Sequence, residues 1–131
     1  MGNRETISTG KILGGMVLKL GKKIERLTLL LRLDGELDMN TASLVRQAID
    51  VEIEKRGIRT VILNLQDVRF VDSSGLGVII GRYKKLLPLG GNIKITNVPP
   101  NIYKIMELSG LPKIINFYAD EAHAYEEGRG A

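Results

Sequence analysis

The sequence predicts a single α/β domain, a mixed and mostly parallel β-sheet with helices packed on it. Short runs of β-branched and aliphatic residues alternate along the chain with longer segments whose apolar residues recur at spacings of three and four. Strands that alternate with helices in this way usually lie parallel, because each helix carries the chain back to the starting edge of the sheet. A length of 131 residues suits one domain with one hydrophobic core.

Four segments are predicted as strands. The first, Ile24–Leu37, has leucines at every second position, and the Asp34–Gly35 pair kinks or ends it. The second, Thr60–Leu65, is rich in β-branched and aliphatic residues, which is typical of a buried central strand. Ile93–Val98 follows a Gly-Gly turn, and Ile114–Tyr118 is predicted as the last short strand.

Four helices are predicted to follow these strands. The first begins at Asn40–Thr41, where either side chain is suited to cap free backbone N–H groups. It ends near Gly57, because glycine readily adopts the left-handed conformation found after a helix. The second covers residues 76–87 and stops before a proline, the third covers Pro100–Leu108, and the fourth covers Asp120–Glu126.

The two ends of the chain differ from its body. Residues 1–15 are polar and Gly-rich and have no hydrophobic period, so they are predicted to be a disordered leader or an extension. The domain itself is expected to span residues 16–126. Residues 127–131 are predicted to be a flexible tail.

Composition narrows the functional classes. The net charge is +4, but Lys and Arg are scattered among Asp and Glu, and this does not favour a nucleic-acid surface. Cys is absent, and the single histidine, His123, lies near the C-terminus, so neither a catalytic triad nor a metal site is evident. No apolar run approaches the roughly 20 residues of a membrane span. We therefore expect a cytoplasmic protein that is not an enzyme, binds no cofactor and contacts neither membrane nor nucleic acid directly.

The segment Asp72–Gly77, with the sequence Asp-Ser-Ser-Gly-Leu-Gly, carries the chemistry. It leads into the second helix, whose free N–H groups and dipole tolerate an anion, including a covalently attached phosphate. Gly75 and Gly77 each cost a helix about 1 kcal/mol of intrinsic stability. Close approach of another chain or of a nucleotide phosphate is one explanation for that cost, and tight packing on the sheet is the other. Sequence physics alone favours a plain helix cap over a modification site, because Asp-Ser-Ser before a helix usually serves as a cap.

The same segment resembles a known family signature. Residues 70–84 are similar to the signature of the anti-sigma factor antagonists, which are STAS domains, and especially to the sporulation type called SpoIIAA. Three further stretches agree in order and spacing, namely residues 33–38, 61–65 and 108–115. The resemblance extends from about Met16 to the region of Asp120, and it implies the STAS fold for the whole body of the chain.

The resemblance also implies roles for individual residues. Ser73 would be the phosphoacceptor, Asp72 would orient its hydroxyl or help place the kinase, and Ser74 would serve as the helix cap. The partner-binding face that it implies consists of Glu36, Asp38, Met39, Asn40, Asp72, Ser73, Ser74, Gly75, Leu76 and Gly77.

The implied function is that of a switch. The unphosphorylated protein would bind an anti-sigma factor with serine kinase activity and free the sigma factor, phosphorylation of Ser73 would end the binding, and a serine phosphatase would restore it. We expect a monomer or a weak dimer. The alternatives are a scaffold STAS domain in a larger signalling assembly, a nucleotide-binding STAS domain or hydrolase, and the cytoplasmic domain of an anion transporter. The sequence does not distinguish sporulation from stress as the output.

Overall fold

Six strands form one mixed sheet and lie in it in chain order. The structure, a computed structural model, describes residues 4–11 and 17–126, with side chains from Leu18 onward. The first three strands pair antiparallel with one another, and the third to the sixth run parallel, which confirms the predicted α/β class. The elements are β1 (Arg4–Lys11), β2 (Val17–Glu25), β3 (Thr28–Leu37), α1 (Ala42–Arg56), β4 (Thr60–Val71), α2 (Ser73–Leu86), β5 (Asn92–Thr96), α3 (Pro100–Leu108), β6 (Asn116–Tyr118) and α4 (Glu121–Glu126).

The predicted helices and their ends are confirmed closely. Gly57 ends α1 with a left-handed φ of 68°, and its N–H donates to the carbonyl oxygens of Glu52 and Ile53. The predicted break at Asp34–Gly35 is a kink rather than an end, because β3 continues to Leu37 through two register shifts against β4. β4 is longer than predicted, and its twelve residues carry the strand directly to the Ser73 turn.

The first predicted strand is wrong at its start, because two antiparallel strands stand where one was expected. β2 and β3 form a hairpin whose turn lies at Arg26 and Leu27. Arg26 takes a positive φ of 57°, a conformation that glycine and asparagine usually supply. Without either residue at this turn, the sequence gave no hairpin signal, and the lysines in the middle of β2 concealed its alternation.

Residues 4–11 lie within the segment predicted to be a disordered leader or an extension, and the structure gives them a strand instead of disorder. These eight residues form β1, which pairs antiparallel with β2 from Arg4 opposite Ile24 to Lys11 opposite Val17. An edge strand is held through backbone hydrogen bonds to one neighbour, so it does not need the alternating apolar pattern by which a strand is recognised. The rest of that prediction, and the predicted tail at 127–131, lie outside the described residues.

The two faces of the sheet are covered differently. The first three helices bury the main core against one face, with Ile49 of α1, Ile79 of α2 and Ile102 of α3 fully enclosed. The short α4 covers the other face, where a smaller apolar cluster is formed by Leu30, Ile62 and Ala124. The row next to that cluster is polar, because the Glu121 carboxylate accepts hydrogen bonds from Arg32 and Asn64.

The topology brings two helix starts to one edge of the sheet. The parallel strands β3 and β4 end side by side, with Leu37 opposite Val71, and each is followed by a helix. The helices then pack together, and an ion pair of 3.1 Å joins Asp50 of α1 to Arg82 of α2. Among the described residues, no helix has the length and apolar character that crossing a membrane requires.

Candidate docking site at the start of the second helix

The turn between β4 and α2 is tied to the end of β3. Asp72 has an extended backbone, with φ of −113° and ψ of −173°, and it is the residue just before the helix. Its N–H donates to the carbonyl oxygen of Leu37 over 3.2 Å, which continues the ladder between the two strands by one more bond. Ser73 therefore becomes the first residue of α2, at the edge where both strands end.

The Asp72 carboxylate caps the helix and also holds the neighbouring loop. Oδ1 accepts from the backbone N–H groups of Ser74 at 2.8 Å and Gly75 at 3.1 Å, while Oδ2 accepts from that of Met39 at 3.2 Å. The expectation that Ser74 caps the helix is thus wrong. Ser74 is the second helical residue, whereas a cap must precede the first one to reach these N–H groups. Among the described hydrogen bonds, none joins Asp72 to the Ser73 hydroxyl, so no hydrogen bond supports the expected role of Asp72 in orienting that hydroxyl.

Ser73 is exposed, and one turn later Gly77 is exposed too. A Cβ built on Gly77 would meet no atom within 4 Å. Gly75, in contrast, is buried, and a Cβ there would collide with the carbonyl oxygen of Leu37 and stand 2.7 Å from the Leu37 side chain. The two glycines therefore have different explanations. Gly75 allows α2 to pack against β3, and Gly77 leaves the surface beside Ser73 without a side chain.

The loop between β3 and α1 is held by hydrogen bonds among its own buried groups and to the end of β3. Asp38 is buried, and its Oδ1 accepts from the backbone N–H groups of Asn40 at 2.9 Å and Thr41 at 3.2 Å. The Thr41 hydroxyl donates to the carbonyl oxygen of Glu36 at 2.6 Å. No side-chain cap forms at Thr41, so the predicted capping of α1 by Asn40 or Thr41 is not found. Asp38 thus shapes the loop rather than presenting its carboxylate, and the exposed side chains of the loop are those of Met39 and Asn40.

Glu36 and Phe70 lie beside each other in neighbouring strands at this edge. Glu36 is half-buried, and among the described ion pairs and hydrogen bonds none involves its carboxylate. The Phe70 side chain is 45% exposed and that of Met39 is 75% exposed. Leu76, also predicted at the site, is only partly buried and packs against the core.

Sequence reasoning did not select Phe70. In the sequence, Phe70 stands in an apolar stretch that leads to the turn, so it gave no sign of being exposed. The register of β3 against β4 shifts just before the Glu36–Phe70 pair, and this shift interrupts the alternation from which the face of Phe70 could have been predicted.

The described cavities lie elsewhere. One of about 730 Å³ is bordered by Arg26, Gly91 and Lys94, and one of about 410 Å³ is bordered by Asn64 and Glu121. Neither is lined by residues 72–77. Within the part of the chain that the structure describes, no three His, Cys, Asp or Glu side chains are grouped so that they could hold a metal ion.

A family model and the similar proteins of known function assign the chain to the same family. The family model described as the STAS domain matches residues 20–124, which include all elements from β3 to β6. An anti-sigma F factor antagonist of Paenibacillus polymyxa is 39% identical over 112 residues, covering 86% of this chain and 96% of that relative.

Solved structures agree with this result. The anti-sigma factor antagonist SpoIIAA in its unphosphorylated form superposes with a TM-score of 0.73 at 28% identity, covering 96% of this chain and 98% of that one. The phosphorylated form of the Bacillus protein SpoIIAA superposes with a TM-score of 0.65 at 27% identity, covering 95% and 100%. The chain therefore belongs to the STAS domain family, among the anti-sigma factor antagonists of the SpoIIAA type.

Proposed function

We propose that this protein is a partner switch that binds an anti-sigma factor with serine kinase activity and is turned off when that partner phosphorylates Ser73. The observation that carries the proposal is the position of Ser73. Its side chain is exposed at the first residue of α2, and the glycine one turn later leaves room for the backbone of another protein to approach.

Binding of the unmodified protein would free the sigma factor. The residues at the centre of this surface, Ser73, Ser74 and Gly77, are small and uncharged, so a partner can cover them without having to displace a large side chain. The anti-sigma factor would then be occupied by this protein instead of by the sigma factor, which could join RNA polymerase. This function belongs in the cytoplasm, where RNA polymerase works, and it requires no oligomer beyond a monomer or weak dimer.

Phosphorylation would reverse the binding through charge and bulk. A phosphoserine adds a charge of about −1.5 to −2 at neutral pH. The N-terminus of α2 stabilises an anion, so we expect little refolding of the domain itself. The partner, however, would have to cover this charge beside the carboxylates of Asp72 and Glu36. Like charges brought together and desolvated in an interface disfavour association. A serine phosphatase would then restore the binding form.

The comparisons support this proposal through the names of the relatives. The matched Paenibacillus polymyxa protein is called an antagonist of the anti-sigma F factor, and SpoIIAA is known in both an unphosphorylated and a phosphorylated form. The glycine evidence also weakens the alternative of a nucleotide site. Packing against Leu37 explains Gly75 within this chain, so a phosphate is not needed to account for it.

The test is a phosphorylation assay that locates the modified residue. The protein is incubated with ATP and the anti-sigma F factor of Paenibacillus polymyxa, and the product is analysed by peptide mass spectrometry. We expect one phosphate on Ser73, none on the Ser73→Ala variant, and unchanged labelling of Ser74→Ala as the matched control. A phosphate on another residue, or labelling that survives in Ser73→Ala, would contradict the proposal.

Binding should follow the same residue. In the same mixture without ATP, Ser73→Ala should bind the anti-sigma factor as the wild type does, and addition of ATP should release only the wild type. Release of both proteins by ATP would show that the phosphate on Ser73 is not the switch.

A further inference from the structure

The larger of the two described cavities lies at the opposite edge of the sheet from Ser73. It has a volume of about 730 Å³ and opens on the face that α4 partly covers. Thr60, which borders it, is the first residue of β4, whereas Ser73 follows shortly after the last one. At about 3.3 Å per strand residue, the two positions are about 35 Å apart. A ligand in this cavity would therefore leave the docking surface at α2 open.

The alternation of three parallel strands builds the floor of the cavity. Thr28, Thr60 and Asn92 are the first residues of β3, β4 and β5, and they lie side by side as one polar row. Two residues further along, where side chains return to the same face, Ile62 and Lys94 also border the cavity. The short α4 packs over this second row and leaves the first row uncovered. Among the described hydrogen bonds, none uses the three polar side chains of the first row.

Lys94 brings a buried cation to the wall of the cavity. The residue is 8% exposed, its Nζ donates to the carbonyl oxygen of Ala124 at 2.7 Å, and Nζ lies 5.6 Å from the centre of the Tyr118 ring. A lysine beside the last carbonyl groups of a helix also stabilises the helix end, which gives Lys94 a structural role as well. Because these two contacts are made to uncharged groups, they do not cancel the positive charge that Lys94 presents to the cavity.

Arg26 brings a second cation from the hairpin turn at the rim. It is exposed and borders the cavity, and no described ion pair involves it. Its φ of 57° is a conformation that costs an arginine stability and that glycine adopts freely. A use for the guanidinium would explain an arginine at this position. The neighbouring Glu25 adds one carboxylate to the rim, so the charged groups that border the cavity are two cations and one anion.

We propose that this cavity binds the phosphate monoester of a small hydroxylated molecule, such as a sugar phosphate, with the phosphate held by Lys94 and Arg26. A phosphate monoester carries a charge of about −1.5 to −2 at neutral pH, which matches two cations better than the single charge of a carboxylate does. The polar row would form hydrogen bonds with the hydroxyl groups of the ligand, and Glu25 would accept one more. The volume lies within the range of about 300–1,000 Å³ that is usual for ligand sites and exceeds what a phosphate alone would fill. Binding here needs no anti-sigma partner, so this site is independent of the proposed function.

The test is an NMR titration of the nitrogen-labelled full chain with ribose-5-phosphate, with inorganic phosphate, and with ribose as the uncharged control. We expect both phosphates to shift the amide signals of Thr60, Gly91 and Tyr125, with ribose-5-phosphate binding more tightly, and ribose to leave them unchanged. Lys94→Met should weaken binding of ribose-5-phosphate about tenfold or more, the usual effect of losing a charged hydrogen bond. Arg26→Gly should weaken it about fivefold, as expected for an exposed ion pair. Its melting temperature should not fall, because glycine relieves the strained turn.

The matched control is Lys104→Met, which removes the charge of an exposed lysine from α3 on the other face of the sheet. Its affinity should equal that of the wild type. Since Lys94→Met also loses the contact with Ala124, its melting curve is recorded beside the titration. Thr60→Val keeps the shape of its side chain without the hydroxyl, so it tests the polar row even if Lys94→Met does not fold. We expect Thr60→Val to bind ribose-5-phosphate about threefold more weakly.

The outcomes separate a built site from unspecific binding of an anion. If neither ribose-5-phosphate nor inorganic phosphate shifts the signals of Thr60 and Gly91, the proposal is wrong. Shifts confined to residues 73–77 would place the anion at the start of α2 and would also overturn it. Equal affinity of the wild type, Arg26→Gly and Thr60→Val would show that the residues of this cavity do not hold the ligand. Binding of citrate in place of both phosphates would contradict the assigned ligand class.

Discussion

The starts of α1 and α2 differ although both helices have the same position in the topology. Each helix follows a parallel strand, and both begin at the same edge of the sheet. At α1, the residue before the helix is Thr41, which is 1% exposed and donates its hydroxyl hydrogen to the carbonyl oxygen of Glu36 near the end of β3. At α2, the carboxylate of Asp72 caps the helix, and Ser73 directly after it is exposed.

This difference shows what makes a helix start available to a partner. At the start of α1 the polar groups of Asp38 and Thr41 are buried and hydrogen-bonded to one another, so none of them is available to a partner. At α2 the cap is complete before the helix begins, because Asp72 supplies both oxygens and leaves the Ser73 hydroxyl with no task in the fold. A residue that the fold does not use can be modified without loss of stability. The predictions below test that separation of stability from function.

The largest effect is expected at the two glycines of α2. Gly75→Ala would drive a Cβ into the backbone of Leu37, which cannot move aside, and overpacking of this kind typically destabilises a domain by about 1–3 kcal/mol. Gly77→Ala meets open space and should stabilise the helix by about 0.5–1 kcal/mol, the usual gain of alanine over glycine. Urea unfolding followed by circular dichroism measures both changes.

The same pair of variants separates folding from binding. Gly77→Ala should bind the anti-sigma factor less tightly than the wild type despite its greater stability, because its methyl group stands where the partner approaches. Equal stability of the two alanine variants would show that the packing of α2 on β3 does not distinguish the glycines.

The second effect is loss of the α2 cap. Asp72→Ala removes three hydrogen bonds to backbone N–H groups and should lower the free energy of unfolding by about 1–2 kcal/mol. Asp72→Asn keeps one acceptor oxygen, so it should retain part of this stability. Hydrogen exchange of the Met39 and Gly75 amides would localise the change. If exchange at Met39 stays at the wild-type rate in Asp72→Ala, the carboxylate does not hold that loop.

The sequence predicted the architecture better than the site. Periodicity and a glycine stop predicted α1 and its end at Gly57 because those signals act within a few residues of one another. The position of Ser73 at the start of α2 could also be predicted, since the motif itself marks the beginning of a helix. The burial of Asp38 and the exposure of Phe70 could not be predicted, because both depend on how β3 and β4 are aligned. Register shifts near Gly35 alter that alignment. The strand β1 also gave no signal, since an edge strand requires only a partner's backbone.

A third effect, in acid, should distinguish the body of α1 from that of α2. Burial raises the pKa of Glu52, but hydrogen bonds from Lys22 and Arg56 outweigh it and hold that pKa below its ordinary value of 4.5. A carboxyl group with a lowered folded-state pKa contributes stability that is complete above the unfolded pKa and is lost as the pH falls through the folded one. The contribution of Glu52 should therefore be complete at pH 6 and should decline below about pH 4.5.

The variant Glu52→Gln supplies the control for this effect. The wild type should have the higher melting temperature at pH 6, and the difference between the two proteins should narrow as the pH falls to 3. Hydrogen exchange should show the narrowing in the amides of α1 more than in those of α2, because Glu52 lies in α1. A constant difference across this range would mean that the ion pairs with Lys22 and Arg56 do not stabilise the folded state.

The smallest effect is expected where the sequence pattern was misleading. Ser74→Ala leaves the three bonds of Asp72 intact, because Ser74 takes part in the cap only through its backbone N–H. Its free energy of unfolding should therefore stay within about 0.5 kcal/mol of the wild type, the range typical of surface substitutions. Denaturant midpoints measured beside those of Asp72→Ala provide the comparison. A loss as large as that of Asp72→Ala would return the capping role to Ser74, and it would tie the residue next to the proposed phosphoacceptor to the stability of the helix that presents it.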